Sequence, residues 1–343
     1  MIAEEPTDES ASTDLEIVSY RASMRDAMVT LWNELFHEQR NFVPMTREIW
    51  RARIELANAG EAFEPELLRV AWRDGRAVGF AHGGIWEGEF LRSLLPESSD
   101  DHELSVVGHL SLIGVAIDQR GRGLGTRLLA SLKSSIELLR GPGRRMVIDG
   151  RVYNPFYGNF FAPRPPLWGT TEGAAVPRDD LAARGFLESC GFRAERWAWS
   201  VVADPREGEL PDEVCDVELE LAAETNYQAI LETPDGTPYP FPNASRTWVA
   251  SHGGQQIGSL VVYPFAEADP AASERWGIHA LEVATPYRGR GVATRLLGAA
   301  MDQWRRAGVR EVEALVLPEE SPGARRLYAK FGFRDVAEWC IFG

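Results

Sequence analysis

Cysteine is scarce in this chain: its 343 residues include only Cys190, Cys215 and Cys340, none in a CxxC spacing. One thiol of three is necessarily unpaired, which argues against a disulfide framework and for a reducing, cytoplasmic setting. Basic residues are in deficit too, 36 Lys and Arg against 51 Asp and Glu, a net charge of −15. Nucleic acids and anionic membranes need a basic face that displaces counterions, so neither is an expected partner. Apolar runs stay far short of the roughly 20 residues that span a bilayer. No GxxxxGK[ST] is present, which argues against a P-loop nucleotidase. The six histidines form no Ser-His-Asp or metal-ligand pattern, and no metal is expected. Residues 1–14 are acidic and polar, which fits a frayed leader better than a signal peptide.

What the chain does have is an internal repeat. HLSLIGVAIDQRGRGLGTRLLASLKSSIELLRG (109–141) is echoed by HALEVATPYRGRGVATRLLGAAMDQWRRAG (279–308). An apolar run leads each time into Arg-Gly-Arg-Gly, then Thr-Arg-Leu-Leu. Upstream, two strands turn at Asp74-Gly75 in one copy and at Gly253-Gly254 in the other. Downstream, ARGFLESCGF (183–192) matches ARRLYAKFGF (324–333), a short helix ending at glycine. The order in each copy is hairpin, strand, glycine loop, helix, strand, short helix, strand. Lobe 1 also opens with a strand (15–20) and a helix (25–37) carrying Met28, Leu31, Trp32 and Leu35 at helical spacing. The expected organisation is lobe 1 at 15–203, with an aromatic, Pro- and Gly-rich insertion at 153–179. A linker at 204–214 follows, then lobe 2 at 215–343 with a shortened start.

Each glycine loop joins a strand to a helix. The first N–H groups of a helix lack intrahelical partners, and the helix dipole adds partial positive charge there. Glycines bare those N–H groups, and neighbouring arginines add charge-assisted bonds, so each loop suits a pyrophosphate. The GxGxG spacing of Gly121, Gly123 and Gly125, placed after several strands, disfavours a dinucleotide fold. An exposed turn is the bland alternative for one copy, and two copies in the same context weaken it. An RNA-binding RGRG segment conflicts with the acidic charge and with the helix after each loop.

RGRGLG (Arg120, Gly121, Arg122, Gly123, Leu124, Gly125) and RGRGVA (Arg288, Gly289, Arg290, Gly291, Val292, Ala293) carry a family resemblance. Each lobe resembles a GCN5-related N-acetyltransferase (GNAT) domain, whose motif is [Q/R]-x-x-G-x-[G/A]. The resemblance implies a mixed α/β (α+β) fold of two tandem domains. Each would be a mostly antiparallel sheet, splayed between strands 4 and 5, with flanking helices. It implies acetyl-CoA or another acyl-CoA as cofactor, with its pyrophosphate on the loops extended by Thr126 and Thr294. Its pantetheine would run along the backbone of Val115, Ala116 and Ile117, and of Val283, Ala284 and Thr285. The implied activity is direct transfer of an acetyl or similar acyl group to a primary amine of a small cationic molecule. A non-catalytic acyl-CoA-binding or sensor protein is the alternative, and both monomer and homodimer are compatible with the chain.

By the same resemblance, Tyr328 stands where the family often carries the tyrosine that protonates the coenzyme A thiolate; its lobe 1 counterpart is Leu187. His109 and His279 lie 11 and 9 residues before their loop arginines. The even difference puts both on the same strand face, where some family members place the general base. Strand alternation puts Glu282 on the face opposite His279, unless a bulge intervenes. Within the insertion, Tyr153, Tyr157 and Trp168 are candidates for a lid or a substrate wall.

Overall fold

The computed structural model describes residues 15–56, 63–87, 106–141, 146–148, 157, 166–171, 175–207, 216–222, 245–265, 273–319 and 321–342. The leader, Tyr153, most of the insertion and residues 208–214 of the linker lie outside the described residues.

Lobe 1 is built on a five-stranded sheet of order β1-β2-β3-β4-β5. Its strands are β1 (Glu16–Ser19), β2 (Leu68–Arg73), β3 (Arg76–Glu87), β4 (Val106–Val115) and β5 (Met146–Ile148). All neighbours are antiparallel except β4 and β5. The β2–β3 turn takes positive φ at Asp74 (50°) and Gly75 (74°), the geometry that continues the strand twist through a two-residue hairpin. Helix α1 (Arg25–Phe36) buries Met28, Leu31, Trp32 and Phe36, and a short α2 (Arg47–Trp50) follows it. Helix α3 (Leu124–Arg140) crosses the other face, burying Leu124, Leu128, Leu132 and Ile136. It lies close because the strands beneath carry glycine: a Cβ at Gly83 would sit 2.9 Å from Leu132, and one at Gly108 2.8 Å from Ile136. Helix α4 (Leu181–Ser189) completes this lobe.

The second sheet has eight strands in the order β6-β13-β7-β12-β11-β10-β9-β8. They are β6 (Val176–Pro177), β7 (Ala194–Ala203), β8 (Glu218–Ala222), β9 (Arg246–His252), β10 (Gln255–Pro264), β11 (Arg275–Val283), β12 (Glu311–Val316) and β13 (Arg334–Phe342). Helix α5 (Val292–Ala307) follows β11, and α6 (Ala324–Lys330) follows β12. The sheet is antiparallel except between β11 and β12. Among the described residues no helix is long and apolar enough to cross a membrane.

One strand departs from the sequence order. β7 closes the lobe 1 repeat, yet it runs between β12 and β13. Its Val201 and Ala203 join the lobe 2 core with Leu296 and Val312, while Cys340 and Phe342 of β13 join the lobe 1 core with Leu187 and Phe192. The lobes thus share their last strands. An apolar β run satisfies either sheet equally well, so hydrophobic pattern alone does not say which one receives it.

A buried carboxylate lies on this shared structure. Glu313 of β12 is fully buried. It accepts from Arg40 Nε at 2.7 Å, Asn41 Nδ2 at 3.2 Å and Ser200 Oγ at 2.7 Å. Ser200, on β7, accepts in turn from Trp339 Nε1 of β13 at 3.0 Å. Arg40 and Asn41 follow α1, and Arg275 of β11 stands 4.0 Å away, so the full set of partners is present only when lobe 1, β7, β11 and β12 are all in place. Removing one member of a buried ion pair strands the other, at a cost of about 3–5 kcal/mol. Arg40→Ala is expected to lower unfolding free energy by that amount in urea titrations, with both lobes still melting in one calorimetric transition. Two separate transitions would contradict the shared-strand architecture.

Candidate functional site

Both sheets open at an extra residue. In β4, Leu110 pairs with Gly83 and Leu112 with His82, leaving Ser111 as a bulge. In β11, Ile278 pairs with Val262 and Ala280 with Val261, leaving His279 as a bulge. Each stands nine residues before its loop arginine, so the structural counterpart of His279 is Ser111. In lobe 2 the parallel pairing stops at the same place: β11 leaves β12 after Ile278–Ala314, while β12 runs on to Val316. A bulge bends its strand and raises the twist, which carries it away from the neighbour.

Beyond the bulge the strand edge faces a gap. Ala116 N donates to Val78 O at 3.0 Å, so alternation turns Gly114 toward β3 and the backbone groups of Ile113 and Val115 away from it. Ala284 N donates to Ile257 O at 2.8 Å, which turns Leu281 and Val283 the same way. Of the expected backbone positions, Val283 therefore borders the gap, and Val115 holds the matching place on β4. Ala116 and Ala284 are tied to β3 and β10, and Ile117 and Thr285 begin 3-10 turns. The gap leads to the glycine loops. Gly121 (φ 72°), Gly123 (75°), Gly289 (74°) and Gly291 (83°) are all left-handed, and Gly123 and Gly291 head α3 and α5 without a side-chain cap. The first intrahelical bonds shown at these ends are Arg127 N to Gly123 O and Arg295 N to Gly291 O, which leaves the amides of Leu124, Gly125 and Thr126, and of Val292, Ala293 and Thr294, unsatisfied within the helix. Arg120 Nε donates to Val115 O and Arg288 Nε to Val283 O, each at 2.9 Å. These arginines brace the loop against the strand, while Arg122 and Arg290 are exposed, with Arg290 over the Tyr287 ring.

The sheet faces beside the two gaps differ. On the α1 side of lobe 1 lie His82 and His109, both fully buried, with Ser111 Oγ 3.1 Å from His109 Nδ1. The Tyr157 hydroxyl is 2.8 Å from His82 Nδ1, and its ring stacks on Trp32 at 5.4 Å. Trp168 stacks on Phe36 at 4.9 Å. Tyr157 and Trp168 are thus packed into the lobe 1 core. On the matching face of lobe 2, the His279 ring meets Tyr263 edge-on at 6.2 Å. Tyr263 donates to Thr171 O at 2.6 Å, so a lobe 1 segment rests on this face. Ser259 and Tyr263 share a face of β10, and Glu282 pairs with Ser259. Glu282 therefore lies on the same face as His279. The bulge overturns the opposite placement expected from simple alternation.

The family model described as "Acetyltransferase (GNAT) family" matches residues 25–154 and 217–333. The chain belongs to the GNAT acetyltransferase family. A tandem GNAT protein from the clavulanic acid biosynthesis pathway is similar in fold, with 16% identity, a TM-score of 0.60 and coverage of 96% of this chain and 98% of that one. A GCN5-related N-acetyltransferase from Sphaerobacter thermophilus has 16% identity and a TM-score of 0.57, with coverage of 96% and 94%. A GCN5-related glucosamine N-acetyltransferase region of a fungal multi-domain β-N-acetylglucosaminidase gives a TM-score of 0.61 at 16% identity. That match covers 97% of this chain, which spans 38% of the fungal protein's length. No curated protein sequence matches. Family and fold support acyl transfer in general, and the GNAT family uses acetyl-CoA. The paired loops suit that ligand: a Cβ at Gly121, Gly123 or Gly289 would meet no protein atom within 4 Å, so each glycine faces open space.

Four titratable groups on these sheet faces, Tyr157, His82, His279 and Glu282, are shifted mainly by burial. Tyr328, on α6, is buried against Phe333 at 5.0 Å, and Leu187 holds the matching place in lobe 1. Burial pushes the Tyr157 phenol well above its usual range. It lowers His82 to about 3, with the nearby His109 adding to the effect, and lowers His279 to about 3. Burial raises Glu282 to about 7 against the pull of Arg288. Among the described residues no cluster of His, Cys, Asp and Glu can hold a metal ion. Sequence reasoning passed over His82 and Tyr263 because each sits within an ordinary strand pattern; only the fold sets them beside the gaps. Unfolded histidine binds a proton near pH 6.5, whereas folded His82 and His279 do so near 3. Their stabilisation is complete above about pH 6.5 and drains as pH falls toward 3. Wild type and the variant His82→Asn/His279→Asn should therefore differ, by roughly 3 kcal/mol per histidine, in how the urea unfolding free energy changes between pH 4 and pH 7. The opposing contribution of Glu282, which loses stability as pH rises toward 7, is common to both.

Proposed function

We propose that lobe 2 transfers an acetyl or similar acyl group from acyl-CoA to a primary amine of a small cationic molecule, by direct attack. The observation that carries this is a strand gap running into a glycine-headed helix, with polar groups on the adjoining sheet face. The bare amides of Val292, Ala293 and Thr294 would hold the diphosphate, with Arg290 adding charge. The gap-facing backbone of Leu281 and Val283 would align the pantetheine arm. A bound thioester supplies an activated acyl carbonyl. Tyr328 would give its phenolic proton to the departing sulfur, while His279, kept neutral by burial, and Tyr263 wall the acceptor side. The net charge of −15 supports a cationic acceptor.

Lobe 1 has the same loop and bulge, but its adjoining face is filled by Tyr157, Trp168 and their stacking partners, and Leu187 has no exchangeable proton. We assign it silent acyl-CoA binding, with His109 fully buried in its core; its Thr171 contributes to the wall of lobe 2.

Calorimetry with acetyl-CoA is expected to give two sites in the wild type and one in either Gly123→Glu or Gly291→Glu. Coenzyme A release with a panel of amines should survive Gly123→Glu and vanish in Gly291→Glu. Tyr328→Phe should slow it about a hundredfold at unchanged acetyl-CoA affinity. Turnover that follows Gly123 would reverse the assignment of the lobes.

A further inference from the structure

At Thr171, lobe 1 touches the acceptor side of lobe 2: its carbonyl accepts from the Tyr263 hydroxyl, and the Tyr263 ring meets His279 edge-on. The phenol leans across Gly277 of β11, where a Cβ would come within 2.8 Å of its oxygen. Thr171 therefore lies above β11, on the far side of the His279 bulge from the glycine loop. The residue is only 2% exposed, yet its Oγ1 has no hydrogen-bond partner among the described residues. Buried hydroxyls nearly always have one, and an unmet hydroxyl costs stability. Thr171 Oγ1 is the only oxygen in that state among the described residues. Valine has almost the same shape without the hydroxyl, so packing alone gives no reason for a threonine here.

We propose that Thr171 selects the acceptor: its Oγ1 hydrogen-bonds a hydroxyl group of the primary amine bound at lobe 2, so that the preferred acceptor is an amino alcohol. This rests on the acyl-transfer reading of that lobe. On that reading the pantetheine arm follows Val283 and Leu281 back to the His279 bulge, which puts the reacting nitrogen beside the bulge. From there to Thr171 the path crosses the Tyr263 ring, whose centroid is 6.2 Å from that of His279. The acceptor's hydroxyl must therefore stand several carbons from its nitrogen, beyond the reach of a two-carbon amine. A threonine hydroxyl both donates and accepts, so a ligand hydroxyl suits it in either sense. A methyl group in that place would leave the oxygen unmet, which is how a buried polar group rejects an analogue that lacks the matching one. No bond is made or broken at Thr171. Its part is in binding the acceptor, and its effect belongs in KM.

The test uses acetyl-CoA with two series of acceptors: linear amino alcohols of two to eight carbons with the groups at opposite ends, and alkylamines of equal length that end in methyl. The wild type should show a kcat/KM advantage for the hydroxyl of about tenfold at one of the longer lengths and none at two carbons, carried by KM. Thr171→Val should erase that advantage, and Thr171→Ser should keep most of it. Because the valine variant removes an unmet buried hydroxyl, it should melt no lower than the wild type in the absence of ligands. A hydroxyl advantage under threefold at every length, an advantage that survives Thr171→Val, or a valine variant that melts several degrees lower would each overturn the proposal. Any of these with the alkylamines still acetylated leaves acyl transfer standing. Acetyl-CoA that binds while neither series is acetylated overturns the acyl-transfer reading, and the proposal with it.

Discussion

A β-ladder that takes in one extra residue cannot keep straight alignment with the strand on its far side, and both lobes depend on that constraint. Ser111 and His279 are those residues. On one side of each the sheet is closed and packed. On the other, β4 and β11 hold on to their hairpin partners, and β11 parts from β12. The exposed edge then runs straight to the glycine turn, and the arginine at the head of that turn folds back onto the last gap-facing carbonyl. Gap, loop and helix end are therefore one mechanical unit. The glycines are required by their left-handed φ, since a Cβ at Gly121 or Gly289 would touch nothing in the protein.

The second constraint is that neither lobe finishes itself. β7 and β13 lie side by side and send side chains into opposite cores. Glu313 accepts from residues after α1 and from β7, with Arg275 of β11 nearby, so its desolvation is fully offset in the assembled pair. This makes the lobe arrangement stiff and gives the loop after α1 and the segment ending at Thr171 a fixed place against lobe 2.

The repeat is legible in the sequence because its markers are residue types with no substitute: glycine where φ is positive, and Thr-Arg-Leu-Leu opening an amphipathic helix. The hairpins at Asp74-Gly75 and Gly253-Gly254 are legible for the same reason. The bulges are not. An extra residue in a ladder leaves no mark on side-chain type, and missing it reverses the facing of every residue beyond, which is how Glu282 came to be placed away from His279. The destination of β7 and the pairing of Arg40 with Glu313 are equally silent, because each depends on partners far along the chain. The aromatics of the insertion announced order, but stacking on Trp32 and Phe36 is a tertiary choice that composition does not reveal.

Duplication gave two copies of one scaffold, and their differences are reciprocal. Where β3 has Gly84 opposite His109, β10 has Tyr263 opposite Gly277. A Cβ at Gly277 would lie 2.6 Å from the Tyr263 ring, so lobe 2 has room for one large side chain at that crossing and has put it on the other strand. Where lobe 1 has Gly114 under Leu35, lobe 2 has Glu282. Each exchange keeps the backbone unit of bulge, gap and loop, and alters only what stands on the adjoining face. In lobe 1 that face is packed with rings from α1 and the insertion; in lobe 2 it carries a phenol, an imidazole and a carboxyl. Packing and polarity compete for the same few positions beside the gap, so a face committed to core stability gives up the groups that move protons. That competition is the physical ground for expecting the two lobes to differ in chemistry while sharing a ligand loop.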